Sequence, residues 1–323
     1  MSRPYASVSL DLDNLWSYQK THGDPGWEEL PSYLDVLVDR ALPIFAERGW
    51  RITFFIVGQD AALERNAAAL ERIAAEGHEI GNHSFHHEPW LHRYGDSQLE
   101  DEIALAEEAI ITLSGSRPVG FRGPGFSCSP ALLDLLQRRG YLYDASTLPT
   151  WLGPLARKYY FATAELTPEE RAERAALFGS LRDVLRPVKP YRWRLQTGEL
   201  LEIPVTTMPL WRVPFHLSYV LYLSTYSTLL ATTFFRTALL HCRLLGVNPS
   251  LLLHPLDFLG GDEIESLRFF PAMQMAGEIK RSRMKRWLDL LAQSFEVINM
   301  REHVRRVAES DRVALRDPEF SFA

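Results

Sequence analysis

Cysteine is almost missing from this chain: Cys128 and Cys242 are the only two in 323 residues. Two thiols so far apart in sequence cannot build a disulfide framework, and their isolation argues against a cysteine-rich zinc site. Basic runs interleaved with aromatics are missing as well. With a formal charge of -6 and an isoelectric point near 6.0, the chain is a poor match for nucleic acid. The opening MSRPYASVSLDLDN runs directly into an alternating apolar segment, with no apolar core of a secretory leader. The expected location is therefore cytoplasmic, extended to the inner face of the membrane if the protein associates with lipid. What is present is ordinary: 46% hydrophobic and 24% charged residues, the composition of a globular protein able to bury a large core.

Short β-rich segments recur between helical stretches. They are YASVSL from Tyr5, RITFFIV from Arg51, HEIGN from His78, PVGFR from Pro118, GYLYD from Gly140, ELLEIPV from Glu199, SLLLH from Ser250 and FEVIN from Phe295. Between them, runs such as LPSYLDVLVDRALPIFAERG and SPALLDLLQRRG repeat their apolar residues at three- and four-residue spacing. Strands alternating with helices predict a mostly parallel sheet covered by helices. Seven or eight such units predict one closed or nearly closed β/α barrel in a single domain spanning residues 1–323, with no linker-like division.

Two segments interrupt the rhythm. Residues 151–198 form an insertion whose run TPEERAERAALFGSLRDVL begins like a helix at Thr167 and Pro168, with Glu169 and Glu170 in its first turn. Residues 217–235, LSYVLYLSTYSTLLATTFF, carry no charge. Their length would permit a membrane span, but barrel strands on both sides and the scattered Ser and Thr favour a helix packed on the barrel. An interfacial helix touching lipid is the other reading.

In β/α barrels the chemistry sits where strands end on the C-terminal face. The strand ends here collect Asp11 and Asp13, then His83, His86 and His87, then Arg122, Asp144, His254 and Asp257. His83 and His87 are four apart, so one helical turn or a tight loop puts both imidazoles on the same side. With Asp13 as an oxygen donor they make a His/His/Asp set for a divalent metal that keeps positions open for water and substrate. His86 points away on the same spacing. Asp11 and Asp13 alternate about Leu12, so one can bind metal while the other stays free as a base. Arg122 is placed to hold a buried carboxylate in one rotamer. His254 is either a satisfied core histidine or, in a polar pocket, a proton donor. Asp144 or Asp257 could accept its other ring hydrogen, and Asp257 could instead cap the turn after HPL.

Taken together, SLDLDN, HSFHH at 83–87, RGPGF at 122–126, GYLYDAS around Asp144 and LLLHP at 251–255 resemble, in order, the motifs of the polysaccharide deacetylase family, also called the NodB homology or carbohydrate esterase family 4 group. The resemblance covers residues 5–150 and 199–305. It implies a distorted barrel of seven or eight β/α units and a metal-dependent amide hydrolase, usually with zinc, other divalent ions such as cobalt, manganese or nickel being possible. It also implies roles: Asp13, His83 and His87 as metal ligands, Asp11 as base, His254 as acid, Asp144 orienting His254, and Arg122 steadying Asp11. Leu12 between the two aspartates, the 151–198 insertion and the uncharged 217–235 run depart from the compact secreted pattern.

These features lead to the expectation of an N-deacetylase or deformylase acting on an amino sugar, in an intracellular or lipid-linked glycan. Peripheral membrane contact goes with that expectation. The aromatics of PYRWRL around Trp193 and of KYYF at 158–161 suit either sugar stacking or a membrane interface. Two other readings stand beside it: hydrolysis of a cyclic amide or ureide, and an inactive glycan-binding scaffold.

Overall fold

Alternation shapes the first strand of the computed structural model, which describes residues 3–153, 181–309 and 313–319. Strand β1 (Tyr5–Asp11) turns Ala6, Val8 and Leu10 outward into the main apolar cluster. Ser7, Ser9 and Asp11 take the opposite, inner face, where they are also buried. The remaining strands are β2 (Thr53–Ile56), β3 (Glu79–Asn82), β4 (Gly120–Phe121), β5 (Tyr143–Asp144), β6 (Tyr191–Arg194), β7 (Glu199–Glu202), β8 (Ser250–Leu253), β9 (Glu296–Ile298) and β10 (Ala314–Arg316).

Seven of them, in the order β8-β1-β2-β3-β4-β5-β7, run parallel. The wall between β7 and β8 is closed by a local link: the Thr206 amide donates to the Ser250 carbonyl at 3.1 Å, and the Ser250 amide donates to Thr206 Oγ1 at 2.8 Å. This is a distorted (β/α) barrel, as expected. Strand β9 pairs with the start of β1, while β6 runs antiparallel against β7 and carries β10 on its far edge. Neither β6 nor β10 was expected from the sequence.

Large rings fill the barrel. Phe55, Tyr143, Leu201 and Met300 form its inner cluster. The inward positions beside the two rings must be glycine, since a Cβ on Gly81 would sit 2.5 Å from the Phe55 ring and one on Gly120 2.0 Å from that of Tyr143. Outside, the helix Leu34–Ala46 buries Leu34, Leu37, Val38, Ala41, Leu42 and Phe45 at three- and four-residue spacing against the sheet.

The uncharged 217–235 run is not one helix. It forms the helix Leu217–Tyr226 and the start of the helix Thr228–Leu244, broken at Ser227, whose Oγ accepts from the Leu230 amide. Among the described residues no helix is long and apolar enough to cross a membrane. Both helices do pack on the barrel, through Leu217, Val220, Leu221, Ala231, Phe235 and Leu239. In the 151–198 segment, the expected helix start at Thr167 and the KYYF tyrosines lie outside the described residues. Trp193 corrects an expectation: it is 1% exposed, with its indole N–H donating to Glu202 Oε2 at 3.0 Å, and so is core rather than a sugar platform.

Candidate active site

The histidine-rich stretch leaves β3 as a tight loop, not a helix. Ser84 and His87 both take left-handed backbone angles, φ 62 and 55, a conformation that costs a non-glycine residue free energy. The loop is pinned to hold it. Asn82 Oδ1 accepts from the Ser84 amide at 2.8 Å, and Glu102 Oε2 accepts from the Phe85 and His86 amides at 2.9 and 3.1 Å. His86 turns away onto Glu102, its Nδ1 2.5 Å from Oε1.

His83 and His87 turn the other way. Their Nε2 atoms lie 3.3 and 3.0 Å from the same oxygen, Asp13 Oδ1. One atom from each of Asp13, His83 and His87 lies within 4.8 Å of the others. Tetrahedral zinc with nitrogen and oxygen ligands at about 2.0–2.2 Å separates its donors by roughly 3.3 Å, so the set fits such an ion. His83 Nδ1 donates to the Arg122 carbonyl at 2.6 Å, which leaves Nε2 as the donor toward the cluster. Burial works against the Asp13 charge, yet His87 and His83 together hold its carboxyl well below the usual range. Burial likewise opposes the charge on His83, but Asp13 and Asp11 raise it overall.

Asp11 stands next to this cluster at the end of β1, 4% exposed. Its Oδ1 accepts from Arg122 Nη1 at 3.0 Å. Arg122 is wholly buried, donates through Nε to the Ala145 carbonyl at 3.0 Å and lies over the Phe55 ring at 4.6 Å. Across the cleft, His254 Nδ1 is 3.1 Å from Ser218 Oγ. Asp11, Asp13, His83, His87 and His254 line one cavity of about 420 Å³, walled by Tyr18, Phe126, Tyr219, Phe269 and Phe270.

A family model described as polysaccharide deacetylase matches residues 24–143. Among curated relatives, a Bacillus cereus peptidoglycan-N-acetylglucosamine deacetylase is 32% identical over 38% of this chain and 38% of its own. A Helicobacter pylori peptidoglycan deacetylase is 29% identical over 44% of this chain and 49% of its own. The chain thus spans less than half the length of these relatives. A crystal structure from Mycobacterium smegmatis, assigned to the polysaccharide deacetylases, superposes with a TM-score of 0.60 at 20% identity over 99% of both chains, which establishes the shared fold. Residues 24–143 are thus similar to the polysaccharide deacetylases, and the chain shares the fold of that crystal structure.

The family match contains His83, His87 and Arg122 but stops short of Asp11, Asp13, Asp144 and His254; of these four, Asp11, Asp13 and His254 join the site by geometry. Asp144 departs from expectation. It is fully buried behind the cavity wall, accepting from Ser146 Oγ at 2.6 Å and sharing a hydrogen bond with Glu202. Burial raises both carboxyls, Glu202 strongly because Asp144 faces it, so the pair holds a proton between them. The partner of the His254 ring is instead Ser218, which is also hydrogen-bonded to Asp257. Asp257 caps the turn, accepting from the His254 amide at 2.9 Å.

Several residues lining this cavity carry no sequence signal. His216 is 6% exposed, its ring 5.7 Å from that of His254, and burial keeps its pKa well below the usual value. Lys280 reaches the cavity from the helix Gly277–Ser294; burial lowers it to about 8, while Asp257 pulls the other way. Ser218 and Lys280 look like helix residues among others, and only the barrel brings them to the strand ends.

Proposed function

We propose that this chain is a metal-dependent hydrolase that removes an acetyl or formyl group from the nitrogen of an amino sugar, with zinc held by Asp13, His83 and His87. The observation that carries the reading is the convergence of that donor set, the Asp11–Arg122 pair and His254 on one cavity. Both named relatives are deacetylases by description, which supports the substrate class. When bound, the divalent ion would supply a Lewis acid for the amide carbonyl and acidify water.

The chain's own residues supply the rest. Asp11 takes a proton from the attacking water; Arg122 fills one of its oxygens and so leaves the other for that proton. Burial of Arg122 fixes the carboxylate rotamer, which makes it a positioning residue. His254 gives a proton to the departing sugar nitrogen from Nε2, because Nδ1 is engaged by Ser218 with Asp257 behind it. The aromatic wall receives the sugar ring. A glycan carried on lipid fits a cavity of this size, which holds a terminal residue rather than a length of polymer.

The test is mass detection of acetate or formate released from a panel of N-acylated sugars by metal-loaded protein. Asp11→Asn and His254→Ala should each lower kcat by about 10²–10⁴-fold. Undiminished release by both variants overturns the proposal. The compact cavity also supports a cyclic amide or ureide as substrate, so the panel includes one. A non-catalytic scaffold is disfavoured because binding alone needs neither Asp11 nor His254.

A further inference from the structure

Forty-one acidic residues occur in this chain, yet none falls between Glu202 and Asp257. The same stretch holds Arg212, Arg236 and Arg243, a local excess of positive charge in a chain of net charge -6. It includes the two helices Leu217–Tyr226 and Thr228–Leu244, whose outer sides are strongly apolar. Tyr226, Leu229 and Leu244 are 71, 78 and 72% exposed, and Leu230 and Leu240 are half exposed.

On the second helix Leu229, Arg236, Leu240 and Leu244 recur at helical spacing and share one face. Seventeen residues make that face about 25 Å long. At its far end the exposed Trp211 packs edge-on against His241, ring centroids 5.2 Å apart. Arg236 and Arg243 form no ion pair among the described residues and are exposed on this side. Leucines with tyrosine and tryptophan near them, arginines beside them that form no ion pair among the described residues, and no carboxylate on either helix itself make a surface complementary to anionic lipid.

We propose that this face docks on the surface of an anionic bilayer. The leucines enter the headgroup boundary, the arginines contact lipid phosphate, and the aromatic rings sit at headgroup level. The helix Leu217–Tyr226 links the two sites: Ser218, Tyr219 and Leu221 line the active-site cavity, and the exposed Tyr222 and Tyr226 lead into Ser227 and the docking helix. Docking therefore brings one wall of the cavity against the membrane, which deepens the proposal of a lipid-carried glycan and takes its biological sense from that reading.

The experiment is co-sedimentation with vesicles of phosphatidylcholine alone and of phosphatidylcholine with one-third phosphatidylglycerol. It uses the full chain, as wild type and as Asp11→Asn, so that membrane binding is scored separately from amide hydrolysis. Wild type and Asp11→Asn should bind the anionic vesicles equally, and raised salt should weaken that binding. Arg236→Gln with Arg243→Gln should lower the affinity on the order of thirtyfold. Leu229→Asp with Leu240→Asp should abolish it while leaving the melting temperature and the release of acyl groups from soluble sugars in place. Failure to bind anionic vesicles, equal binding to neutral ones, or binding unaffected by the leucine changes overturns the proposal. A concentration-dependent dimer removed by the leucine changes, without vesicle binding, assigns the face to a second copy and overturns it too.

Discussion

Two aspartates at strand ends illustrate how little residue type says about role. Asp11 and Asp144 are both buried at the C-terminal ends of barrel strands. Asp11 faces a cavity and an arginine, whereas Asp144 faces another carboxyl, a serine and the Cys128 thiol. A carboxylate held by an arginine at a cavity is placed to take a proton from water. One paired with a second acid shares a proton and serves structure. Ser146, held by Asp144, in turn accepts from the Gly123 amide at 2.8 Å, so Asp144 fixes the loop that follows Arg122. Asp144→Asn should therefore keep kcat within about tenfold of wild type, set against the much larger loss for Asp11→Asn. Asp144→Ala should cost about 2–4 kcal/mol of stability, read by chemical denaturation, because it strands Glu202 and Ser146. Loss of activity by Asp144→Asn equal to that of Asp11→Asn would restore a catalytic role.

At the level of elements, the histidine loop shows what has to be spent to present two ligands from five residues. Ser84 and His87 hold left-handed angles with help from Asn82, which accepts from the Ser84 amide, and from Glu102, on the helix Asp96–Ser114, which accepts from two further loop amides and the His86 ring. Glu102→Ala should lower zinc affinity by about 10–100-fold and stability by about 1–3 kcal/mol, measured by competition with a chelator and by thermal melting. Unchanged zinc affinity in a folded variant would show that the loop holds itself. The barrel strands were legible because their signal is local: alternation in β1 and apolar runs in β2 and β8 follow from burial on one or both faces. The clustering of Asp13, His83 and His87 was legible because two of its members share one short stretch and the third sits at an obvious strand end. What could not be read has a common cause. The break at Ser227 carries neither Pro nor Gly, β6 spells YRWR with charges between its rings, and Ser218, His216 and Lys280 reach the cavity only through tertiary packing. The pairing of Asp144 could not be read because its partner Glu202 lies on a strand far along the chain.

Across the whole molecule, chemistry and stability occupy opposite ends of the barrel, as expected for this architecture. The C-terminal end carries the Asp13, His83 and His87 cluster. At the other end β9 and the helix Met300–Ala308 close the barrel against β1: the Met300 amide donates to Thr53 Oγ1 at 2.8 Å, and the Arg301 amide donates to Glu79 Oε2 at 2.7 Å. His303 on that helix is completely buried, its Nδ1 2.8 Å from Ser7 Oγ and its Nε2 without a partner among the described residues. Burial, aided by Arg306, pushes its pKa down to about 3. In the unfolded chain it titrates near 6.5, so between these values the unfolded state binds the extra proton and acid favours unfolding. The stabilising effect of a neutral His303 is complete above the unfolded value and declines as pH falls toward the folded one. By pH ~5 the loss should be about 2 kcal/mol. His303→Gln keeps a polar partner for Ser7 but cannot titrate, so its stability should fall by about 2 kcal/mol less than that of wild type between pH ~7 and ~5. Denaturant titrations at both pH values, with a chelator present so that metal binding does not enter, give the difference directly. Acyl release at neutral pH by the same variant should match wild type, since His303 bonds Ser7, toward the end of β1 away from Asp11. Parallel pH profiles for the two proteins would place the acid-sensitive element elsewhere in the barrel.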